Sequence, residues 1–458
     1  MPTYDGSYLA RTNRRRGINL VNFTTESPNV RLGGPNGPDF ETFVARRKGL
    51  GLYYRNGVVL ADLNPADEPT DEPLVARGTV WPPLPPTPPA GAQWVAYGIS
   101  NPNGIIYTSE DASGWILNTT TIFNNGSIND IVQNGSTWVA SGSAGGNGII
   151  AKATDASGTW TSQSIDDAFQ GGNILCISSY GSTWVVGGAT NDAGGVIAVS
   201  NNNTTTWIPQ TTDAFPTEPG GLGGNGSVND IAYNGSTWVA VGSNGTGLYG
   251  TTFGAIATST DASGWVTRTT DAFLNGNINT IAHNSLIWVA VGYSGTGGAI
   301  ATSTDAIGWV TQTTDAFVGG RINAIAYNRF LWVAVGYSSS GGAVATSING
   351  TRWTTQNINV FTNINDIAQN SSLFVAVGLN GANGTIATST NGTTWVVRYT
   401  GSSGDNIVDI NYNGTVWVAA ISAGALGSSV VTSYDGISWE THTLIGYRVG
   451  PGVVGVAS

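Results

Sequence analysis

The sequence predicts an all-β chain. Its larger part closes as an eight-bladed β-propeller, with seven blades as the alternative count, and an extended N-terminal anchor arm containing a β-hairpin precedes it. Three observations carry this expectation. First, a phrase ending in tryptophan returns along the chain, as "TSTDASGW" at 258–265, "TSTDAIGW" at 302–309 and "TSYDGISW" at 432–439. Second, the composition is rich in strand and turn formers: Gly reaches 65 of 458 residues, charged residues only 10%, and no window sustains a 3.6-residue apolar period. Third, the repeated unit itself divides into four short alternating runs separated by turn signals.

In chain order, residues 1–80 come first and do not repeat. Residues 1–55 carry nine Arg and Lys against four acids, whereas residues 91–458 carry seven against nineteen, within a chain of net charge −11. The two parts must meet different surroundings. Arg11, Arg14, Arg15, Arg16, Arg46, Arg47 and Lys48 are the expected anchor residues of the arm. "GLYYRNGVVLADL" reads as a hairpin turned at Asn56-Gly57. A lone hairpin is not stable in water, so the arm is expected to be ordered by docking onto a larger assembly or onto its own copies. "WPPLPPTPPA" at 81–90 is a semi-rigid polyproline spacer of ~3 Å per residue. The expected organisation is therefore an arm at 1–80, a linker at 81–90 and a propeller at 91–458.

One full copy of the repeat runs from Ile322 to Gln356. Its first tryptophan falls at Trp94, Trp138, Trp184, Trp238, Trp288, Trp332 and Trp417, with Phe374 in the missing place; its second falls at Trp115, Trp160, Trp207, Trp265, Trp309, Trp353, Trp395 and Trp439. The first series is expected to form the inter-blade core, as large apolar wedges rather than ligand-stacking platforms. Residue 91 enters at the second strand of a blade, and "GVVGVAS" at 452–458 reads as a first strand without a blade after it. Pairing the two would close the ring.

The phrase Ser-x-Asp-x-Gly-x-x-Trp resembles the Asp-box, a hairpin signature of sialidase-type and related propellers. It is written here as "TSEDASGW", "KATDASGTW", "TSTDASGW", "TSTDAIGW", "TSINGTRW", "TSTNGTTW" and "TSYDGISW", and loosely as "VSNNNTTTW". The resemblance covers about 365 residues and implies a turn joining the third and fourth strands of a blade, polar on the rim and with its Trp inside. Asp or Asn is expected to bond its own backbone, and Gly to supply positive φ. The tandem repeats also look like those of propeller proteins encoded by phages and large DNA viruses, which implies a fold and a setting but no activity.

Function has to be read from the loops. The turns "YNGS" and Ser-x-Asp lie on one face, here the lower, and are short in every copy. Length varies only on the upper face, in "FPTEPGGLGGNG" at 215–226 and "SNGTGLYGTTFG" at 243–254. Loops carry function on a rigid scaffold, so Phe215, Glu218, Leu248, Tyr249 and Phe253 form the expected binding patch. Asn129, Asn229, Asn279, Asn323 and Asn365, on the innermost strands, are more readily read as pins of strand ends than as a ring holding water or an ion.

Catalysis is not expected. A sialidase needs an arginine cluster and a tyrosine nucleophile, but Arg268, Arg321, Arg329, Arg352, Arg398 and Arg448 are spread over several blades, and only His283 and His442 exist. No catalytic residue, metal ligand set or cofactor is assigned. The basic runs "RTNRRR" and "ARRKG" lack aromatic interleaving, so nucleic acid is not the expected partner. Cys176 is the single cysteine, no apolar stretch suits a membrane span, and the first residues lack the apolar core of a secretion signal. The expectation is a virion structural protein made in a host cytoplasm. Its arm would dock on capsid, portal or tail proteins, with homo-oligomerisation open, and its propeller would face a host glycan or surface protein. A tail hub, nozzle or head-completion protein, and a cellular scaffold or lectin, are the alternatives.

Overall fold

The computed structural model describes residues 52–55 and 58–62 and, from 94 to 457, all but short stretches, of which 217–225, 247–251, 423–428 and 445–451 are the longest. The chain divides into two units, Met1–Pro86 and Thr87–Ser458. In the first, Leu52–Arg55 pairs antiparallel with Val58–Asp62, Arg55 opposite Val58. The expected anchor residues from Arg11 to Lys48 lie outside the described residues.

The second unit is an eight-bladed propeller in which every blade is a four-stranded antiparallel sheet, so the seven-blade alternative is excluded. Seven blades take all four strands from consecutive sequence. Blade one borrows its innermost strand from the far end: Gly452–Ala457 pairs with Trp94–Ser100, with Val95 opposite Ala457 and Ile99 opposite Gly452. Blades two to eight begin at Ile128–Asn134, Gly172–Tyr180, Ser227–Tyr233, Asn277–His283, Arg321–Tyr327, Asn363–Gln369 and Asn406–Tyr412.

Each of these seven innermost strands is interrupted at one place. The register against the second strand shifts between Ile128 and Asp130, Ile174 and Cys176, Val228 and Asp230, Ile278 and Thr280, Ile322 and Ala324, Ile364 and Asp366, and Ile407 and Asp409. A bulge of this kind leaves one residue unpaired and re-aims its side chain. It explains why Ile128 and Ile131, three apart, are both buried, which an unbroken strand of period two forbids. The unpaired residue is Asn in five blades, and its amide reaches across to the next blade. Asn129 Nδ2 donates to Ile174 O (2.7 Å), Asn229 to Ile278 O (2.9 Å), Asn279 to Ile322 O (2.7 Å), Asn323 to Ile364 O (2.7 Å) and Asn365 to Ile407 O (2.7 Å). The asparagines therefore pin neighbouring blades together.

Between blades lie the large side chains. Trp94, Trp138, Trp184, Trp238, Trp288, Trp332, Phe374 and Trp417 are all buried. So is a second series that the sequence reading passed over: Phe123, Phe169, Phe215, Phe273, Phe317 and Phe361, one in each crossover between blades one and seven. Burying such a ring contributes roughly 1.5–3 kcal/mol.

The Ser-x-Asp/Asn turn is built as an acceptor trap. Asp305 Oδ1 takes the N–H groups of Ile307 (2.8 Å) and Gly308 (3.0 Å) and the hydroxyl of Ser303 (2.9 Å), and Asn349 Oδ1 does the same for Thr351, Arg352 and Ser347. The following Trp closes the turn, as when Trp353 Nε1 donates to Gly350 O at 2.8 Å. In three of the four copies that carry Ala after Asp, positive φ falls on neither the Asp nor the distal Gly but on Ala112 (65°), Ala262 (67°) and Ala306 (63°); where Gly follows, it falls on Gly350 (79°), Gly392 (72°) and Gly436 (72°). The choice tracks the neighbouring blade. A Cβ on Gly392 would come within 2.8 Å of Leu331 Cδ2 and one on Gly436 within 2.5 Å of Leu373 Cδ2, while the alanines face blades that carry Val416, Thr183 and Thr237 at that place.

Candidate functional site

The repeat supplies its own reference, and blades five and six depart from it at the upper mouth of the central channel. The first residue of the innermost strand, or its equivalent, is Ser127, Asn173, Ser227, Asn277, Asn363 or Asn406 in other blades, but Arg321 in blade six. The residue opposite it on the second strand is Ser243 in blade four and Leu379 in blade seven, but Tyr293 in blade five and Tyr337 in blade six. One level deeper, the carboxylates Asp130, Asp230, Asp366 and Asp409 give way to Thr280 and Ala324 in these same two blades. Cys176 takes the same place in blade three, and the one cation at the mouth among the described residues stands above a blade with no carboxylate there.

Arg321 and Tyr337 line a cavity of about 400 Å3 together with Asn279, Asn323, Asn363 and Asn365. Arg321 Nε donates to Tyr337 Oη at 3.1 Å. Its guanidinium carbon lies 5.4 Å from the centroid of Tyr337 and 5.9 Å from that of Tyr293. Each such contact contributes about 0.5–1 kcal/mol at an exposed site and orients the planar fork. No carboxylate pairs with Arg321 among the described residues, so its remaining N–H groups face the cavity and solvent. The asparagine amides are already committed to the next blade, which fixes their orientation. Asn365 Oδ1 accepts from Asn363 Nδ2 at 2.7 Å, whereas Asn279 and Asn323 have no bond to Oδ1 among the described residues. The cavity therefore presents a fixed cationic donor, two amide acceptors and the phenol ring of Tyr337. That set suits a ligand bearing hydroxyls and an anionic or carbonyl oxygen.

Beneath the mouth the inner ring carries the carboxylates Asp130, Asp230, Asp366 and Asp409. Burial pushes the Asp130 carboxyl up to about 7 against the opposing bond from Ile177 N, and burial also raises Asp230 despite its bonds from Thr280 and Ile281. Tyr97 is raised well above its ordinary value by burial and by the charges of Asp130, Asp409 and Asp366. A carboxyl raised above its unfolded value near 3.9 contributes stability that is complete below that pH and is lost as pH rises towards 7. The turn carboxylates act in the opposite direction. At Asp111 burial would raise the group, but the bonds from Ser113 and Gly114 outweigh it and hold it at about 2, so its contribution is lost only in acid. Asp130→Asn is therefore expected to reduce, by about 2–3 kcal/mol, the loss of stability between pH 5 and pH 8, measured as denaturation midpoints of variant and wild type at both values.

The expected upper-face patch does not assemble as drawn. Phe215 is 1% exposed and packs with Val185, Ile197, Val228 and Trp238, so it is a core residue and is withdrawn from the patch. Its recurrence in six crossovers was the signal for this. Phe253 is 39% exposed and bridges Leu274 in the crossover that follows blade four. Glu218, Leu248 and Tyr249 lie outside the described residues. Both histidines are tied into blades: His283 Nε2 bonds Tyr233 O at 2.9 Å and the ring packs on Trp288, and His442 Nε2 bonds Thr432 Oγ1 at 2.8 Å. Among the described residues no group of three or more His, Cys, Asp or Glu could hold a metal ion.

No protein-family model and no curated protein matches the chain. Solved structures do. YCF48 bound to a D1 peptide is similar over 58% of this chain and 80% of its own, at 18% identity and a TM-score of 0.40. The GH74 enzyme of Niastella koreensis is similar over 78% and 54%, at 16% identity and a TM-score of 0.28. A structure from an analysis of two prolyl endopeptidases is similar over 71% and 51%, at 9% identity and a TM-score of 0.48. The chain spans about half the length of the last two. These likenesses are of fold alone.

Proposed function

We propose that this chain is a non-enzymatic binding and structural protein of a virus particle, with residues 1–80 as the anchor to capsid, portal or tail proteins and the propeller as the displayed part. The Asp-box-like turns, the Pro-rich spacer and the opposite charge of the two parts support that reading. The observation that carries the binding role is the Arg321 cavity, where the repeat places one cation and Tyr337 at a level at which the innermost strands of the other blades carry serine or asparagine. A host-surface glycan with acidic or densely hydroxylated residues fits that donor and acceptor set. Arg321 would grip a carboxylate or ring oxygen, and Asn279 and Asn323 would accept from hydroxyls.

A glycan array probed with the full-length chain tests the reading. Binding to a restricted set of acidic or hydroxyl-rich glycans is expected. Arg321→Ala should weaken it roughly 10–100-fold, the worth of a charge-assisted hydrogen bond, while the chain stays folded with a melting temperature lowered by only a few degrees. Absence of binding, or equal binding by Arg321→Ala, overturns it.

A further inference from the structure

Blades five and six also depart from the repeat on the opposite, lower face. The turn between the first and second strands carries a left-handed glycine in four copies, Gly135, Gly181, Gly235 and Gly414, followed by Ser136, Ser182, Ser236 and Thr415. In blade five these places hold Ser285, at φ 73°, and Leu286; in blade six they hold Arg329, at φ 81°, and Phe330. The neighbouring Ser-x-Asp/Asn turns also carry apolar residues, Ile307 two places after the Asp in blade five and Ile348 just before the Asn in blade six, positions that hold Ile437 and Tyr434 in blade eight. Leu286, Phe330, Ile307 and Ile348 are 76%, 74%, 56% and 79% exposed. Leu286 and Ile348 lie turn against turn, because Gly350 of blade six's turn packs on Ile287 beside Leu286, and Ile307 and Phe330 belong to the same two blades on this face.

Among the described residues no hydrogen bond or apolar cover is gained from these four side chains. A left-handed backbone at a residue with a Cβ costs about 1–2 kcal/mol, and four large apolar side chains are left in water. The charges divide across the patch: Arg329 and Arg352 stand on the blade six half, while Asp305 stands on the blade five half with Oδ2 carrying no bond among the described residues.

We propose that this face binds a second copy of the same chain through a twofold axis between blades five and six. A twofold contact must be self-complementary, each half meeting the other half of its partner. This patch meets that condition: the arginines of one copy oppose Asp305 of the other, and the apolar side chains cover one another. The proposal is independent of the ligand assigned to the upper face.

Sedimentation velocity of the full-length chain from about 1 to about 100 µM tests it, since a contact of micromolar strength dissociates within that window. Concentration-dependent dimerisation is expected. The variant Ser285→Gly/Leu286→Ser/Arg329→Gly/Phe330→Ser restores residues that the other copies use, so it is expected to fold, to melt at a higher temperature and to remain monomeric throughout. A second variant, Arg329→Glu/Arg352→Glu, which keeps the apolar side chains, is expected to weaken the dimer at least tenfold at low salt. A wild-type chain that stays monomeric at the highest concentration overturns the proposal. So does a first variant that associates like wild type, as an arm-mediated oligomer would, or a second variant whose dimerisation is unchanged.

Discussion

Removal of Gly452–Ala457 is expected to lower stability by roughly 5 kcal/mol or more, counting the ladder it makes with Trp94–Ser100 at about 0.5–1.5 kcal/mol per hydrogen bond and the apolar surface uncovered with it. Blade one has no other innermost strand. Without it Val95 and Ala96, both buried, come to the wall of an open channel, and Tyr97 loses its cover beside Asp130. The seam between blades one and eight then lacks a partner on one side. Calorimetric melting of the shortened chain should show a transition displaced by many degrees or split into two, with the rest of the ring fraying from this seam. A hexapeptide of the same sequence, Gly-Val-Val-Gly-Val-Ala, supplied in excess is expected to restore part of the loss. A shortened chain that melts like the parent would mean that the closure contributes little.

Trp332→Ala should cost about 3–5 kcal/mol, because the indole is fully buried between blades five and six and the pocket left behind is walled by packed strands. Trp332→Phe is expected to cost far less, for two reasons. Its Nε1 is buried with no partner, so the polar atom adds a desolvation penalty and no bond, and Phe374 fills the same place in blade seven. The contrast is with Trp353, whose Nε1 holds Gly350 O and whose replacement by Phe removes a bond from the turn. Urea denaturation of the three variants orders them: Trp332→Phe nearest wild type, Trp353→Phe next, Trp332→Ala last. A Trp332→Phe variant as damaged as Trp332→Ala would refute this account of the indole.

The architecture was legible because its rule is repetition. A tryptophan returning every blade, a turn with a fixed side-chain acceptor and a stray strand at the far end suffice to count the blades and close the ring. The bulge was not read, although "INDI" announces it, since two buried isoleucines three apart fit no regular strand. Phe215 was misplaced for a related reason: judged within its own loop it is an apolar residue in an insertion, whereas judged against Phe123, Phe169, Phe273, Phe317 and Phe361 it belongs to the core. Arg321, Tyr293 and Tyr337 were visible as departures from the repeat, but only the strand pairing brings them to one mouth. The sequence search looked for long loops, and the cavity is made instead by substitutions at constant length.

The fit between each Ser-x-Asp/Asn turn and the blade before it bears on how such a chain can evolve. Tandem repeats grow by unequal exchange, which drops a copy into a new neighbourhood. A copy with Ala306 in its turn could not follow a blade carrying Leu331 or Leu373, where even glycine leaves a Cβ no more than 2.8 Å. Copies of this ring are therefore addressed, and duplication would succeed only for adjacent pairs that travel with their matching side chains. The same addressing penalises a nascent blade that skips its neighbour during folding, a hazard that grows with the similarity of the copies.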